Sequence, residues 1–593
     1  TELNGLTGTA SFSVLDSEVT NNYPLQWRHQ TDPGVTVTLE NLSIINKRDG
    51  WEITFTTPPA ISDVIVVLDG ASQPASMRQS PDGDFLRRRY MSGDAVVQAP
   101  FDDIYEIESP FTEDEIDDLY FTQANDQMFF CHYKHKPWRL TRYNAYDWRW
   151  EQPEFKGAPW EDAQYSPVSG YPRCVTFFQE RLYFAATLEK PQTLWGSRTA
   201  DFYEFTLPAD ADPYKPDDPV EYTIAAYTHE QIEWMSSERV LVIGTSGTEH
   251  RLAPDQFVAS DRPPLVSRMS AYGGAHIIPA FMGNLTVFIQ TSTGEVRTYE
   301  QTTQSVIEKW TSLDLTWLAK HLFEEGVKEV SYALTPNSLL NAVTNDGLFR
   351  TMTYDPSQGD TAQIGWAQHP TEGKYHSHAT IPEGYGHVTW CIIEREEDDP
   401  DNPGTTIMAK NIEFFDPWVF HDACLTYPPD YNEDDPGTWP PTSSVSGLDH
   451  LEGQEVSIKV DDATHPPRTV VNGGVTLNGT YSKIDIGLPY SKRIKLQRFA
   501  SAAEPAQMQG MQGRWVEVWL RMVNSANPLV DGRRTAERSP ATPMNQAEPI
   551  ITGDVKAYHL GFDRNKQITI EQDLPFPLFV TAIYGVLEVD PGG

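Results

Sequence analysis

The chain has 593 residues and carries 84 Asp and Glu against 45 Lys and Arg, a formal net charge of −39. A surface this acidic repels phosphate and excludes tight nucleic-acid binding as the main task, while 39% apolar and 11% aromatic residues supply packed cores and exclude a wholly disordered chain. No run approaches the roughly 18 apolar residues of a membrane helix, and the start Thr1-Glu2-Leu3-Asn4 shows neither a basic nor an apolar leader segment.

In chain order, the first predicted strand is Trp51 to Thr56, where apolar and polar residues alternate. Phe101 to Tyr120 then holds nine acidic residues and no Lys or Arg, the pattern of a solvated segment. From about 113 to 395, strand pairs recur at intervals of roughly 40–55 residues, the rhythm of propeller blades. They are Leu119 to Tyr133, Cys174 to Trp195, Val240 to Leu252, Leu285 to Tyr299, Val330 to Met352 and His387 to Ile393. A series of β-sandwiches is the alternative. Within this stretch Leu313 to Gly326 predicts a helix, because Leu315, Leu318, Leu322 and Phe323 recur near helical spacing and Gly326 is placed to cap it. Glu394 to Asp401 and the Pro- and Asp-rich Pro428 to Pro441 mark a boundary. Beyond it, Glu455 to Val460 and Trp515 to Leu520 alternate as strands again.

The fold predicted is mainly β, with a propeller-like platform, additional sandwich- or barrel-like modules and few helices. The predicted divisions are an N-terminal β module (1–100), a propeller-like body (101–395), an acidic Pro-rich linker (396–446) and a C-terminal β module (447–593). Cys131, Cys174, Cys391 and Cys424 are widely spaced and read as free thiols of a protein assembled inside a cell.

Tests for catalytic motifs fail. Gly244-Thr245-Ser246-Gly247 resembles a nucleophile elbow, but Thr248 stands where the second Gly belongs. The stretch from Asp399 lacks ligands a calcium loop requires, with Pro403 and Lys410 at two of those positions. Two histidine groups have metal-ligand chemistry: His376 and His378 with His387, and Cys131-His132 with His135. Neither has a recognisable third and fourth ligand, so both read as ordinary surface or core histidines. With 84 acids, pairs of carboxylates at glycosidase spacing are inevitable and carry no weight. Arg87 to Arg89, and Lys492, Arg493, Lys495 and Arg498, are basic clusters that read as solvated faces or salt-bridge donors. These residues predict no catalytic group, cofactor or metal.

Gly170 to Phe205 resembles the tail nozzle (tail tubular protein B-like, or stabilisation) proteins of short-tailed bacteriophages. The matching residues are Tyr171, Pro172, Phe178, Arg181, Leu182, Gln192, Thr193, Leu194, Trp195, Ser197, Arg198, Phe202 and Phe205. Ser109 to Trp150, Ile232 to Leu252, Pro264 to Gly274, Val287 to Tyr299 and the stretch from His450 to Leu477 with Gly487 to Tyr490 are similar in the same order, so the resemblance covers about 105–593. Residues 1–100 depart from the family's opening segment, which predicts either a shortened or processed chain or a different first module.

The resemblance implies a structural virion protein and not an enzyme. It implies a tail nozzle that conducts and gates the genome, assembled in the host cytoplasm as a homo-hexamer. Implied partners are a tail adaptor, tail fibres or spikes, passing genomic DNA held without tight binding, and the host cell surface. Asp102, Asp103, Asp398, Asp399 and Asp401 are the acids expected near such a channel, where negative walls repel a passing polyanion. The alternatives are a receptor- or glycan-binding tail protein and a polysaccharide-degrading enzyme.

Overall fold

In the computed structural model the described residues lie between 107 and 589, outside stretches of which 253–265, 355–363, 429–439, 499–511 and 536–546 are the longest. For residues 1–106 only strand positions and pairings are described. Alternating side chains and tight turns produce five successive four-stranded antiparallel meanders. Blade I comprises Tyr120–Ala124, Gln127–His132, His135–Asn144 and Asp147–Glu151. Blade II comprises Cys174–Phe178, Arg181–Ala185, Thr193–Gly196 and Val220–Thr223. Blade III comprises Ile232–Ser237, Leu241–Thr245, Glu249–Leu252 and Val266–Ser270. Blade IV runs from Ala280–Met282 to Ile307–Thr311, and blade V from Val327–Ala333 to Gly365–His369. A repeated four-stranded meander is the unit of a propeller, so the fold is mainly β with a propeller-type platform and further β modules.

The chain divides into two units. Residues 1–86 and 100–278 form the first, with blades I to III; residues 87–99 and 279–593 form the second. The second unit also contains a nine-stranded sheet whose order begins Lys374–Glu383, Gly386–Asp398, Thr406–Phe415. Arg88–Met91 pairs in parallel with Thr406–Phe415, so a short early segment is built into a late sheet. Beyond it lie Ala95–Val97, His421–Tyr427, Ile484–Pro489, Glu455–Val460 and Ala463–Thr469. The stretch 396–446, expected as a linker, thus contributes Thr406–Phe415 and His421–Tyr427 to this sheet.

Blade cores are aromatic. In the first unit Trp160 is buried edge-on against Phe184, Trp195 and Phe205, with ring centroids 5.1, 5.5 and 5.8 Å away. Such pairs add about 0.5–1.5 kcal/mol each beyond burial. Trp234 fills the space above Gly244 and Gly274, where a Cβ would lie 2.0 and 1.9 Å from the indole. Gly244 therefore serves indole packing, not a nucleophile turn.

The helix predicted over Leu313 to Gly326 does not form. That stretch is a series of turns with one 3-10 helix, Lys320–Leu322. Asp314 accepts from the Thr316 amide (2.8 Å) and hydroxyl (2.6 Å), a local closure that competes with helical bonding. Leu315 and Phe323 are buried, but Leu318 is 85% exposed, so the helical stripe has no surface to cover.

Candidate metal centre

Blade I begins with a 3-10 helix, Glu113–Asp118. Glu115 bends back over its start, accepting the Thr112 amide at 3.2 Å. The second and third strands of the blade, Gln127–His132 and His135–Asn144, meet at a two-residue turn, Tyr133-Lys134, that pairs His132 with His135 directly across the hairpin. Cross-strand partners share a face, so the spacing His-x-x-His brings two imidazoles side by side, with rings 5.4 Å apart. Glu115 reaches the same place. One donor atom from each of Glu115, His132 and His135 lies within 4.8 Å of the other two.

The three groups differ in how they are held. His135 Nε2 lies 3.0 Å from Glu115 Oε2, and its ring packs edge-on against Phe111 at 5.5 Å. Lys134 Nζ lies 3.3 Å from Glu115 Oε1. The Thr112 amide, His135 and Lys134 together overcome burial and draw the Glu115 carboxyl down to about 2, so it is ionised. His132 is 1% exposed. Its Nδ1 accepts the Lys134 amide at 3.3 Å, the long end of such bonds, and its Nε2 is buried with no partner. Burial lowers its pKa, against the pull of Glu115, so the ring stays neutral.

Two neutral-capable imidazoles and one carboxylate suit a borderline transition metal such as zinc better than calcium or magnesium, which take oxygen ligands. Zinc bonds of about 2.0–2.2 Å require the donors to draw in from their present spread. Three protein ligands leave a coordination position for water, whose pKa the ion would lower to about 7.

Sequence reading paired the histidines with Cys131 and missed Glu115. Cys131 is fully buried, its thiol pushed well up first by burial and then by Cys174, and it is not among the converging donors. All four cysteines are buried and none forms a disulfide. The His376, His378 and His387 group is not brought together. His376 meets Glu394 at 3.0 Å, His378 lies 3.5 Å from Glu329, and His387 meets Thr335 at 2.9 Å.

The resemblance residues hold blade II. The Arg181 guanidinium is buried and donates to the Ser197 and Asp218 carbonyls (both 2.7 Å) and to Pro216. The Leu182 amide donates to Ser197 Oγ at 3.0 Å. Tyr171, Pro172 and Trp195 are buried, Gln192 is half-buried and Arg198 is exposed, with Asp218 3.5 Å away. Asp398 is exposed at a strand end; Asp102, Asp103, Asp399 and Asp401 lie outside the described residues. In the C-terminal basic cluster, Arg493 pairs with Glu571 at 3.1 Å and Lys492 sits 3.5 Å over the Phe420 ring.

No family model and no curated protein matches the chain. Similar solved structures include the periplasmic gluconolactonase of Pseudomonas aeruginosa, at 14% identity and TM-score 0.34, covering 56% of this chain and 98% of that one. Another is the calcium-binding protein regucalcin of Agrobacterium tumefaciens, at 11% identity and TM-score 0.25, covering 50% and 92%. A third is Hsv2p of Kluyveromyces lactis, at 11% and 0.26, covering 55% and 93%. These are likenesses of fold and assign no activity here. The three named here are a gluconolactonase, a regucalcin and Hsv2p, and none of them is described as a phage tail component. None of the comparisons above names a phage tail component, and the virion role, its glycan-binding alternative and the reading as a non-enzyme are corrected to that extent and not carried forward.

Proposed function

We propose that this protein binds a divalent transition-metal ion, with zinc the best chemical fit, through Glu115, His132 and His135. The observation that carries the reading is the convergence of three donors within 4.8 Å, one of them a buried imidazole whose Nε2 has no partner. A buried polar atom left unpaired costs about 1–3 kcal/mol; with Nδ1 accepting, Nε2 carries the ring proton, and an ion removes the cost at Nε2 once that proton moves to Nδ1. Whichever His132 nitrogen takes the ion, the 3.3 Å contact to the Lys134 amide is given up, because Nδ1 is then either ligating or protonated. The open position makes metal-assisted hydrolysis the reaction class the arrangement suits.

Titration of chelator-treated protein with zinc, and with cobalt for its visible spectrum, tests the reading. One ion per chain is expected, lost in Glu115→Gln, His132→Ala and His135→Ala. Binding that survives all three substitutions sinks it. Hydrolysis of p-nitrophenyl acetate that is removed by chelator and restored by zinc tests the reaction class.

A further inference from the structure

We propose that Lys134 is a built-in competitor for the ion at this site and sets how tightly the ion is held; this rests on the metal-binding reading above. Lys134 stands between the two histidines at the tip of their hairpin. Its ammonium takes Glu115 Oε1 at 3.3 Å, while His135 and the Thr112 amide take Oε2 at 3.0 and 3.2 Å. Both oxygens of the anionic ligand are therefore engaged by donors that an incoming cation must displace or share. The Lys134 amide also touches His132 Nδ1. One residue thus contacts two of the three donors, once through its side chain and once through its backbone.

The charges make the two cations exclusive. Glu115 supplies one negative charge, and Lys134 balances it. An ion of charge +2 beside a retained ammonium places three positive charges against one carboxylate, so ion entry drives Lys134 away. The lysine can leave cheaply, because its side chain is 47% exposed and its stem is flexible. His135, 31% exposed and packed against Phe111, has less freedom. Lys134 is the hand-over group, trading its carboxylate for water when the ion arrives. Without it the carboxylate would be a stronger ligand and the site slower to release metal.

The test compares zinc dissociation constants, by competition with a chromophoric chelator, for wild type, Lys134→Met, Lys134→Gln, Lys134→Arg and Lys136→Met. Lys136 is a matched control: it pairs with Glu161 at 2.9 Å, and its removal changes net charge equally. Expected is about tenfold tighter binding in Lys134→Met and Lys134→Gln, the part of a close like-charge repulsion that survives solvent screening. Lys134→Arg should match wild type, and Lys136→Met should change affinity less than about twofold. If wild type binds zinc through Glu115 and neither neutral Lys134 variant tightens, or if Lys136→Met tightens equally, the competitor idea fails alone. If Glu115→Gln, His132→Ala and His135→Ala all leave wild-type affinity intact, the metal-binding reading fails with it.

Discussion

Two clusters place a carboxylate against cations in opposite ways. In the second unit, Arg395 is 3% exposed between Glu413 and Asp422. Its guanidinium donates to Glu413 at 2.8 and 2.9 Å, to Asp422 at 2.8 and 3.1 Å, and to the Glu372 carbonyl at 2.9 Å. All five N–H groups are used. Thr371 adds a 2.9 Å bond to Asp422, and despite burial Arg395 holds that carboxyl below its ordinary range. In blade I, Glu115 is also engaged, but by an exposed lysine and a half-exposed histidine, while the deeper His132 keeps an unpaired nitrogen. A saturated cluster locks a fold and has nothing left for a ligand. An unsaturated one beside replaceable partners can exchange them. His421 marks the limit of this rule. Both its ring nitrogens are buried without partners, yet Lys459 and Lys492 lie close enough to depress its pKa further, so no cation would settle there.

The contrast can be broken by substitution. Arg395→Met should have the largest effect, a loss of about 3–5 kcal/mol in unfolding free energy, because two buried carboxylates lose their counter-ion. Chemical denaturation measures it, and a midpoint close to wild type would mean the cluster is not locked. Glu115→Gln should instead leave the fold's circular dichroism unchanged and weaken zinc binding by about a hundredfold or more, beyond the 10–100-fold typical of groups that only support a ligand. Added zinc should accordingly raise the melting temperature of wild type but not of this variant.

A smaller effect comes from pH. Burial, then the two lysines, lower His421 to about 3, and burial followed by Arg350 lowers His369 to about 4. Between these values and about 6.5 the unfolded chain binds protons that the folded chain refuses. Stability is therefore full above about pH 6.5 and falls as the pH drops. His421 alone accounts for about 2 kcal/mol at pH 5. His421→Phe should flatten the slope between pH 7 and 5; an unchanged slope would show that His421 protonates in place. Smallest of all is the exposed pair Arg521–Asp554, at 2.8 Å. Arg521→Met should not shift the melting midpoint measurably, since exposed ion pairs contribute little.

Much of the architecture was legible beforehand. The predicted pairs Leu119 to Tyr133, Leu285 to Tyr299 and Val330 to Met352 all fall within blades, because period-two alternation and turn residues are local signals. The helix over Leu313 to Gly326 was misread because its apolar spacing carries no information about which residues find a surface to cover. Half of the site lay in local pattern, although in the sequence both histidines read as ordinary surface or core residues. His132 and His135, flanked by strand patterns and split by a two-residue turn, have to share a face. Glu115 was invisible, lying 17 residues before His132 within a short 3-10 helix, one acid among 84.

By itself, then, the sequence determined the strands, their turns and the facing pair of histidines, since each depends on residues a few positions apart. Tertiary structure alone decided which carboxylate joined them and which arginine was sealed between Glu413 and Asp422, 18 and 27 positions further on. It also decided which imidazole nitrogen was left unpaired. Those outcomes depend on how separate segments close on one another and exclude water, and burial of a charge or a lone pair is a property of that closure, not of local pattern.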